Sequence, residues 1–72
     1  MICYLIEYKN DNGNLTGTYV GISEKSLLAA VYNIALKFAD RLSAERFRLW
    51  IHGEHPDRFN LANIEVTEHE EV

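Results

Sequence analysis

Residues 23–42, SEKSLLAAVYNIALKFADRL, form the longest segment of this sequence with helical periodicity. On a helical wheel, one apolar stripe falls on a single side and is sufficient to cover one face of a small sheet. Ser23 is a suitable N-cap residue, and Glu24 lies next to the positive end of the helix dipole. We therefore predict a helix from Ser23 to about Leu42, with a core stripe of Leu27, Val31, Ile34, Phe38 and Leu42.

The predicted helix has a second apolar shoulder beside this stripe, made chiefly by Leu28, Tyr32 and Leu36. The two together span roughly 200° of the wheel, whereas a helix buried on one side needs little more than about 100°. The shoulder therefore requires a second contact. We expect it either to form a dimer contact or to lie beneath the loop that contains Phe59 and Leu61.

Four strands are predicted around this helix. Residues 2–9 and 15–22 alternate in polarity across a turn at residues 10–14, where Asn12-Gly13 favours a tight hairpin. Residues 46–52 alternate cleanly, and Ile64 and Val66 mark a last strand. The order ββαββ predicts a single α+β domain over residues 1–72, with one amphipathic helix on one face of a small, mostly antiparallel sheet. The strand order stays open, including an arrangement that brings the first and last strands together.

The predicted third strand points four side chains away from the core: Arg46, Arg48, Trp50 and His52. Such residues are enriched at protein interfaces, so a protein contact is the first interpretation. The alternative is a platform for single-stranded nucleic acid, on which bases stack on Trp50 while Arg46 and Arg48 contact phosphates. The formal net charge of −4 makes this alternative the weaker of the two.

Composition sets further bounds. The 72-residue chain is 47% hydrophobic and 25% charged, which is typical of a folded domain and not of a disordered one. Its single cysteine, Cys3, excludes an internal disulfide and favours a reducing compartment. No apolar run is long enough for a signal peptide or a membrane span. We therefore expect a cytoplasmic protein that does not contact a membrane.

Catalytic and metal sites receive little support from the sequence. Donor groups occur at His52, His55, Asp57 and His69, but their spacing matches no metal motif, and whether the histidines converge stays open. Gly17 and Gly21 before the predicted helix, with Ser23, Lys25 and Ser26 in its first turn, superficially suit an anion. Cys3 has no basic residue near it in sequence. We expect neither a cofactor nor enzymatic activity.

The leading hypothesis is a non-enzymatic protein-binding module, either a homodimer or an inhibitor or adaptor that docks on a larger complex. Its contact residues would be the shoulder and the outward residues of the third strand. In size and layout the chain resembles small phage-encoded inhibitors, for example of the anti-CRISPR kind. This resemblance implies action by occupying a surface and transfers no site residues.

Overall fold

A computed structural model describes residues 1–71. It contains strands β1 (Ile2–Lys9), β2 (Leu15–Ser23) and β3 (Ser26–Ala30), a 3₁₀ helix (Tyr32–Ile34), helix α1 (Arg41–Glu54) and strand β4 (Ile64–Glu70). The strands form one antiparallel sheet in the order β3-β2-β1-β4, so the first and last strands are neighbours. The predicted α+β class, with one helix packed on a small antiparallel sheet, is confirmed. The order of elements is βββαβ and not ββαββ.

The β1–β2 hairpin forms where the turn residues predict it. The side-chain oxygen of Asn10 accepts hydrogen bonds from the backbone N–H groups of Asn12 and Asn14, and Gly13 adopts a φ of 80°. The pairing of β1 with β2 shifts register after Glu7, and Gly17 has a φ of 75°. The irregular pairing at this point has the character of a β-bulge.

The predicted helix over residues 23–42 is wrong. Its first residues complete β2, turn sharply and return as β3, in which Leu28 pairs with Gly21. The turn places Glu24 and Lys25 at φ values of 50° and 68°, the conformation of a two-residue hairpin. Leucine and alanine are good helix formers, but their intrinsic helix propensity is worth only roughly a few tenths of a kcal/mol per residue. Pairing with β2 outweighs this preference, so these residues form β3.

After the 3₁₀ helix, the chain passes through the sheet. The backbone N–H of Leu36 donates to the carbonyl of Val20 in β2, and Phe38 pairs with Tyr4 in β1. Residues 36–38, which we call the crossing segment, thus lie between the diverging ends of β1 and β2. Tyr32 packs on one face of the sheet and Phe38 on the other, so this segment carries the chain from the second face to the face covered by α1.

Helix α1 occupies the segment predicted as the third strand, residues 46–52. Asp40 is its N-cap, because its carboxylate accepts from the N–H and hydroxyl groups of Ser43 at 2.8 and 3.0 Å. Ala44 and Ile51 are fully buried against the sheet. The alternation of polar and apolar residues over these seven positions was read as a strand. Residues four apart lie on the same side in a strand and in a helix, so a short alternating stretch is compatible with both.

Two apolar clusters lie on opposite faces of the sheet, because successive residues of β1 contribute to different clusters. The helix-face cluster includes Ile64, Val66 and Phe59, all predicted to point inward. The predicted stripe was wrong for three of its members, since these side chains are mostly exposed: Val31, Ile34 and Leu42.

Candidate functional site

The three residues predicted as one apolar shoulder do not share a surface. Leu28 and Tyr32 are half-buried against the second-face cluster, whereas Leu36 is half-buried in the helix-face cluster that contains Phe59. The shoulder was wrong as a helical surface because residues 23–42 change from one face of the sheet to the other. One of the two expectations placed all three residues beneath the loop that contains Phe59. Of the three, Leu36 alone shares a cluster with Phe59.

The other predicted contact residues lie on α1 instead of on a strand: Arg46, Arg48, Trp50 and His52. The guanidinium of Arg48 donates to the backbone carbonyls of Ile64 and Leu61 at 3.0 and 2.7 Å. Nδ1 of His52 lies 2.8 Å from the carbonyl oxygen of Phe59. These two side chains therefore hold the connection between α1 and β4, and the platform that an open strand would have offered to nucleic acid is not formed.

The side of α1 that faces away from the sheet carries three exposed apolar side chains among polar ones. Leu42, Leu49 and Trp50 are 59%, 55% and 53% exposed, with the exposed Arg46 between them. Positions 42, 46 and 49 have the spacing of neighbours on one helical stripe. We call these four residues the outer face of α1. A helix with apolar residues on both sides presents one of them to solvent or to a partner.

A groove of about 270 Å³ lies beside this face, between α1 and the β2–β3 hairpin. Its apolar walls are Ile22, Leu27 and Trp50, and Trp50 connects it to the outer face of α1. The indole of Trp50 is supported from below by Phe47, with ring centroids 5.5 Å apart. We call this depression the Trp50 groove.

The charged residues that line the Trp50 groove come from two separate loops. Lys25 lies in the β2–β3 turn, whereas His55 and Arg58 follow α1. Arg58 is held in place, because it donates to the carbonyl oxygen of Leu27 at 2.6 Å and its guanidinium lies 5.0 Å from the ring centre of Phe59. One side of the groove therefore has a positioned cation.

The second face carries a shallower cleft of about 600 Å³, lined in part by Tyr32, Lys37 and His69. The Tyr32 hydroxyl lies 3.5 Å from the thiol of Cys3 and donates to Glu71 at 3.3 Å. The hydrogen bond with Cys3, together with burial and the nearby carboxylate, raises the pKa of Tyr32. Lys37 donates to the carbonyl of Tyr32 at 2.7 Å. The polar groups of this cleft therefore largely form hydrogen bonds with one another.

Behind this cleft, Glu7 is buried with only 5% of its surface exposed. It accepts from the N–H of Gly17 at 2.8 Å and from the hydroxyl of Thr67 at 3.3 Å. Thr67 in turn lies 2.8 Å from Nε2 of His69, whose ring packs against Tyr19. The chain of contacts satisfies a buried carboxylate and has the character of a structural network.

The candidate metal and anion sites are not assembled. Within residues 1–71, no group of three or more histidine, cysteine, aspartate or glutamate side chains could hold a metal ion. His52 lies on α1 and His69 on the second face, so the histidines do not converge. The anion interpretation required a helix beginning at Ser23, and a hairpin turn occupies that position instead.

Comparisons with protein-family models, curated proteins and solved structures found no match to this chain. In the part of the chain that the structure describes, no helix is long and apolar enough to cross a membrane.

Sequence reasoning missed several residues of this surface: Ile22, Lys25, Leu42, Leu49 and Arg58. Ile22 was placed just before the wrongly predicted helix and Lys25 in its first turn, and Arg58 was placed in a short turn. A signal was nevertheless present, because Leu42 and Leu49 are seven residues apart and Asp40 with Ser43 forms a recognisable helix start. Reading residues 41–54 as a helix would have placed both leucines on its outer face.

Proposed function

We propose that this chain is a non-enzymatic protein-binding module whose contact surface is the outer face of α1. The supporting observation is that Leu42, Leu49 and Trp50, all more than half exposed, lie on the one α-helix whose other side packs on the sheet. Contiguous exposed apolar residues mark interaction sites more often than isolated ones. An exposed tryptophan next to an arginine is the typical composition of an interface hot spot.

The non-enzymatic part of the proposal rests on the surroundings of the potential nucleophile. The thiol of Cys3 is buried and contacts the Tyr32 hydroxyl and a carboxylate oxygen of Glu71. A catalytic thiol is activated by a neighbouring histidine or lysine instead. His69 is opposite Cys3 in the β1–β4 pairing, but its Nε2 is directed to Thr67.

Two kinds of partner fit this surface. A second copy of the chain would bury the two outer faces against each other, which adds apolar burial to a domain whose own core is small. A larger complex would accept the outer face as the docking surface of an inhibitor or adaptor, the mode of action of small phage-encoded anti-defence proteins. We take self-association as the first version to be tested.

The experiment is size-exclusion chromatography with light scattering from micromolar to millimolar protein, on the wild type, Leu49→Glu and Val31→Glu. Val31 is a matched control because it is an equally exposed apolar residue, at 65%, outside α1. We expect the wild type and the Val31 variant to dimerise and the Leu49 variant to remain a monomer. Circular dichroism spectra verify that all three are folded.

If the wild type is monomeric, the same three proteins serve as baits in affinity capture from the native host. A specific partner would be retained by the wild type and by Val31→Glu but lost with Leu49→Glu. Equal capture by all three, or no capture by any, would contradict the assignment of the outer face as the binding surface.

A further inference from the structure

The Trp50 groove combines an apolar interior with charges of one sign. Its ionisable lining residues are Lys25, His55 and Arg58, and no carboxylate lines it within residues 1–71. This is notable in a chain with eleven acidic and seven basic residues, in which acidic side chains would be expected around most depressions. The lining itself therefore carries cationic side chains and no carboxylate, whereas the acidic neighbours of these residues in the chain, Glu24, Glu54 and Asp57, are not part of it.

The size of the groove narrows what it can hold. At about 270 Å³ it lies at the small end of the range of roughly 300 to 1,000 Å³ that is usual for ligand pockets. It has room for one large side chain and its immediate neighbours. Ile22, Leu27 and Trp50 would surround the apolar part of that side chain, and burial of apolar area would supply the main attraction.

We infer, building on the proposed function, that the Trp50 groove takes an acidic-apolar peptide segment of the partner protein: one apolar or aromatic side chain flanked by a carboxylate. The apolar side chain packs on Trp50 between Ile22 and Leu27. The carboxylate meets the ammonium of Lys25 or the guanidinium of Arg58, whose position is held by its bond to Leu27. Charge complementarity selects this occupant, because an apolar segment carrying basic residues would be repelled by the two lining cations, Lys25 and Arg58.

The groove also extends the proposed contact surface without a break. Trp50 belongs both to the groove and to the outer face of α1, so a partner seated on Leu42 and Leu49 would reach the groove with an adjoining segment. The outer face supplies apolar area, and the groove supplies a preference for the sign of the partner's charge.

The test is a two-dimensional NMR titration of the ¹⁵N-labelled protein with two matched peptides. The probe is acetyl-Asp-Phe-Asp-amide, and its neutral counterpart of the same shape is acetyl-Asn-Phe-Asn-amide. We expect the acidic peptide to shift the Trp50 indole N–H and the amides of Ser26 and Leu27. It should bind about fivefold more tightly than the neutral one at low salt, in line with one partly exposed ion pair, and added salt should remove the difference.

Two variants locate the effect. Lys25→Asn removes a lining charge, and asparagine tolerates the left-handed backbone of that position, so the preference for the acidic peptide should fall. Lys37→Gln removes a charge in the second-face cleft and should change nothing. Equal binding of the two peptides, shifts outside the groove, or an unchanged preference in Lys25→Asn would overturn the inference.

Failure of this inference is distinguishable from failure of the proposed function. If Leu49→Glu abolishes association while the two peptides bind equally, the outer face binds protein and the groove has no charge preference. If the acidic peptide is preferred while Leu49→Glu changes no association, the groove chemistry stands and the outer face is not the contact surface.

Discussion

Tyr4 and Phe38 exchange two backbone hydrogen bonds, each 2.9 Å long, although 34 positions separate them in the chain. This pair fills the gap that β2 leaves when it diverges from β1 beyond the bulge. It also carries the chain to the face where α1 begins, with Phe38 packed against Phe47 of the helix at 5.4 Å between ring centroids. The position of the outer face therefore depends on the crossing segment.

Gly21→Ala should destabilise the protein. A Cβ atom at Gly21 would lie 2.9 Å from the Cβ of Ala30 and 3.3 Å from the carbonyl oxygen of Ile34. Because β3 and the 3₁₀ helix would have to move, we expect a loss of about 1 to 3 kcal/mol in the free energy of unfolding. Urea denaturation monitored by tryptophan fluorescence measures it.

Gly53→Ala is the matched control for this substitution. A Cβ atom there meets nothing within 4 Å, and the residue lies in α1. Replacing a helical glycine by alanine should stabilise the protein by roughly 0.5 to 1 kcal/mol. Equal effects of the two substitutions would contradict the close packing assigned to Gly21.

Glu7→Gln should be costly although it preserves shape. The carboxylate of Glu7 accepts from Gly17 and Thr67 on separate oxygens, and an amide offers an acceptor on one side only. We expect a loss of about 1 to 3 kcal/mol in denaturant unfolding, because both hydrogen bonds lose their charged acceptor. Glu65→Gln breaks only the surface ion pair with Lys9 and should cost less than about 1 kcal/mol; a larger effect there would count against this account.

Lys25→Gly should stabilise the β2–β3 hairpin. Lys25 has a φ of 68°, a conformation that glycine adopts freely and other residues adopt at a cost. We expect the free energy of unfolding to rise by about 1 kcal/mol. Lys25→Ala removes the same side chain but keeps Cβ, so thermal unfolding of the two variants isolates the backbone term. Equal midpoints for both would show that the turn is not strained.

The helix cap should make stability depend on pH in the acid range. Hydrogen bonds from Ser43 hold the pKa of Asp40 below its ordinary value. A carboxyl with a lowered folded-state pKa contributes stability that is present above its unfolded pKa and is lost as pH falls through the folded one. Asp40→Asn retains a cap that does not titrate, so the wild type should be the more stable at neutral pH and this advantage should disappear on acidification. A constant difference across the range would contradict the assignment.

The parts of the fold that were predictable depend on local chemistry. The Asn12-Gly13 turn determines the β1–β2 hairpin within a few residues, and the apolar pair Ile64 and Val66 marks the last strand. The α+β class is correct, but the long segment on which it was based, residues 23–42, is not the helix, which is Arg41–Glu54. None of these inferences requires knowledge of distant contacts.

The location of the helix was not predictable from periodicity alone. Residues 23–42 are apolar on almost every side because β3 contributes Leu27 to one cluster and Leu28 to the other, and the later residues also divide between the two faces. Burial on both faces imitates the pattern of a two-sided helix. Residues 46–52 alternate between polar and apolar side chains as a strand would. They do so in a helix because α1 exposes the apolar Leu49 and Trp50 and buries Ile51. The Trp50 groove was missed for a related reason, since Lys25 and Arg58 meet only through the β2–β3 hairpin.

Passage of residues 36–38 between β1 and β2 constrains the order in which the chain can fold. Only the part of β1 from Glu7 to Lys9 is paired with β2, although a short turn joins the two strands and local hairpins form early. If β1 and β2 paired along their whole length, they would close the space between them that Phe38 occupies. We therefore expect folding to proceed with the first half of β1 unpaired with β2 until the crossing segment arrives, and pairing along the whole of both strands to slow it.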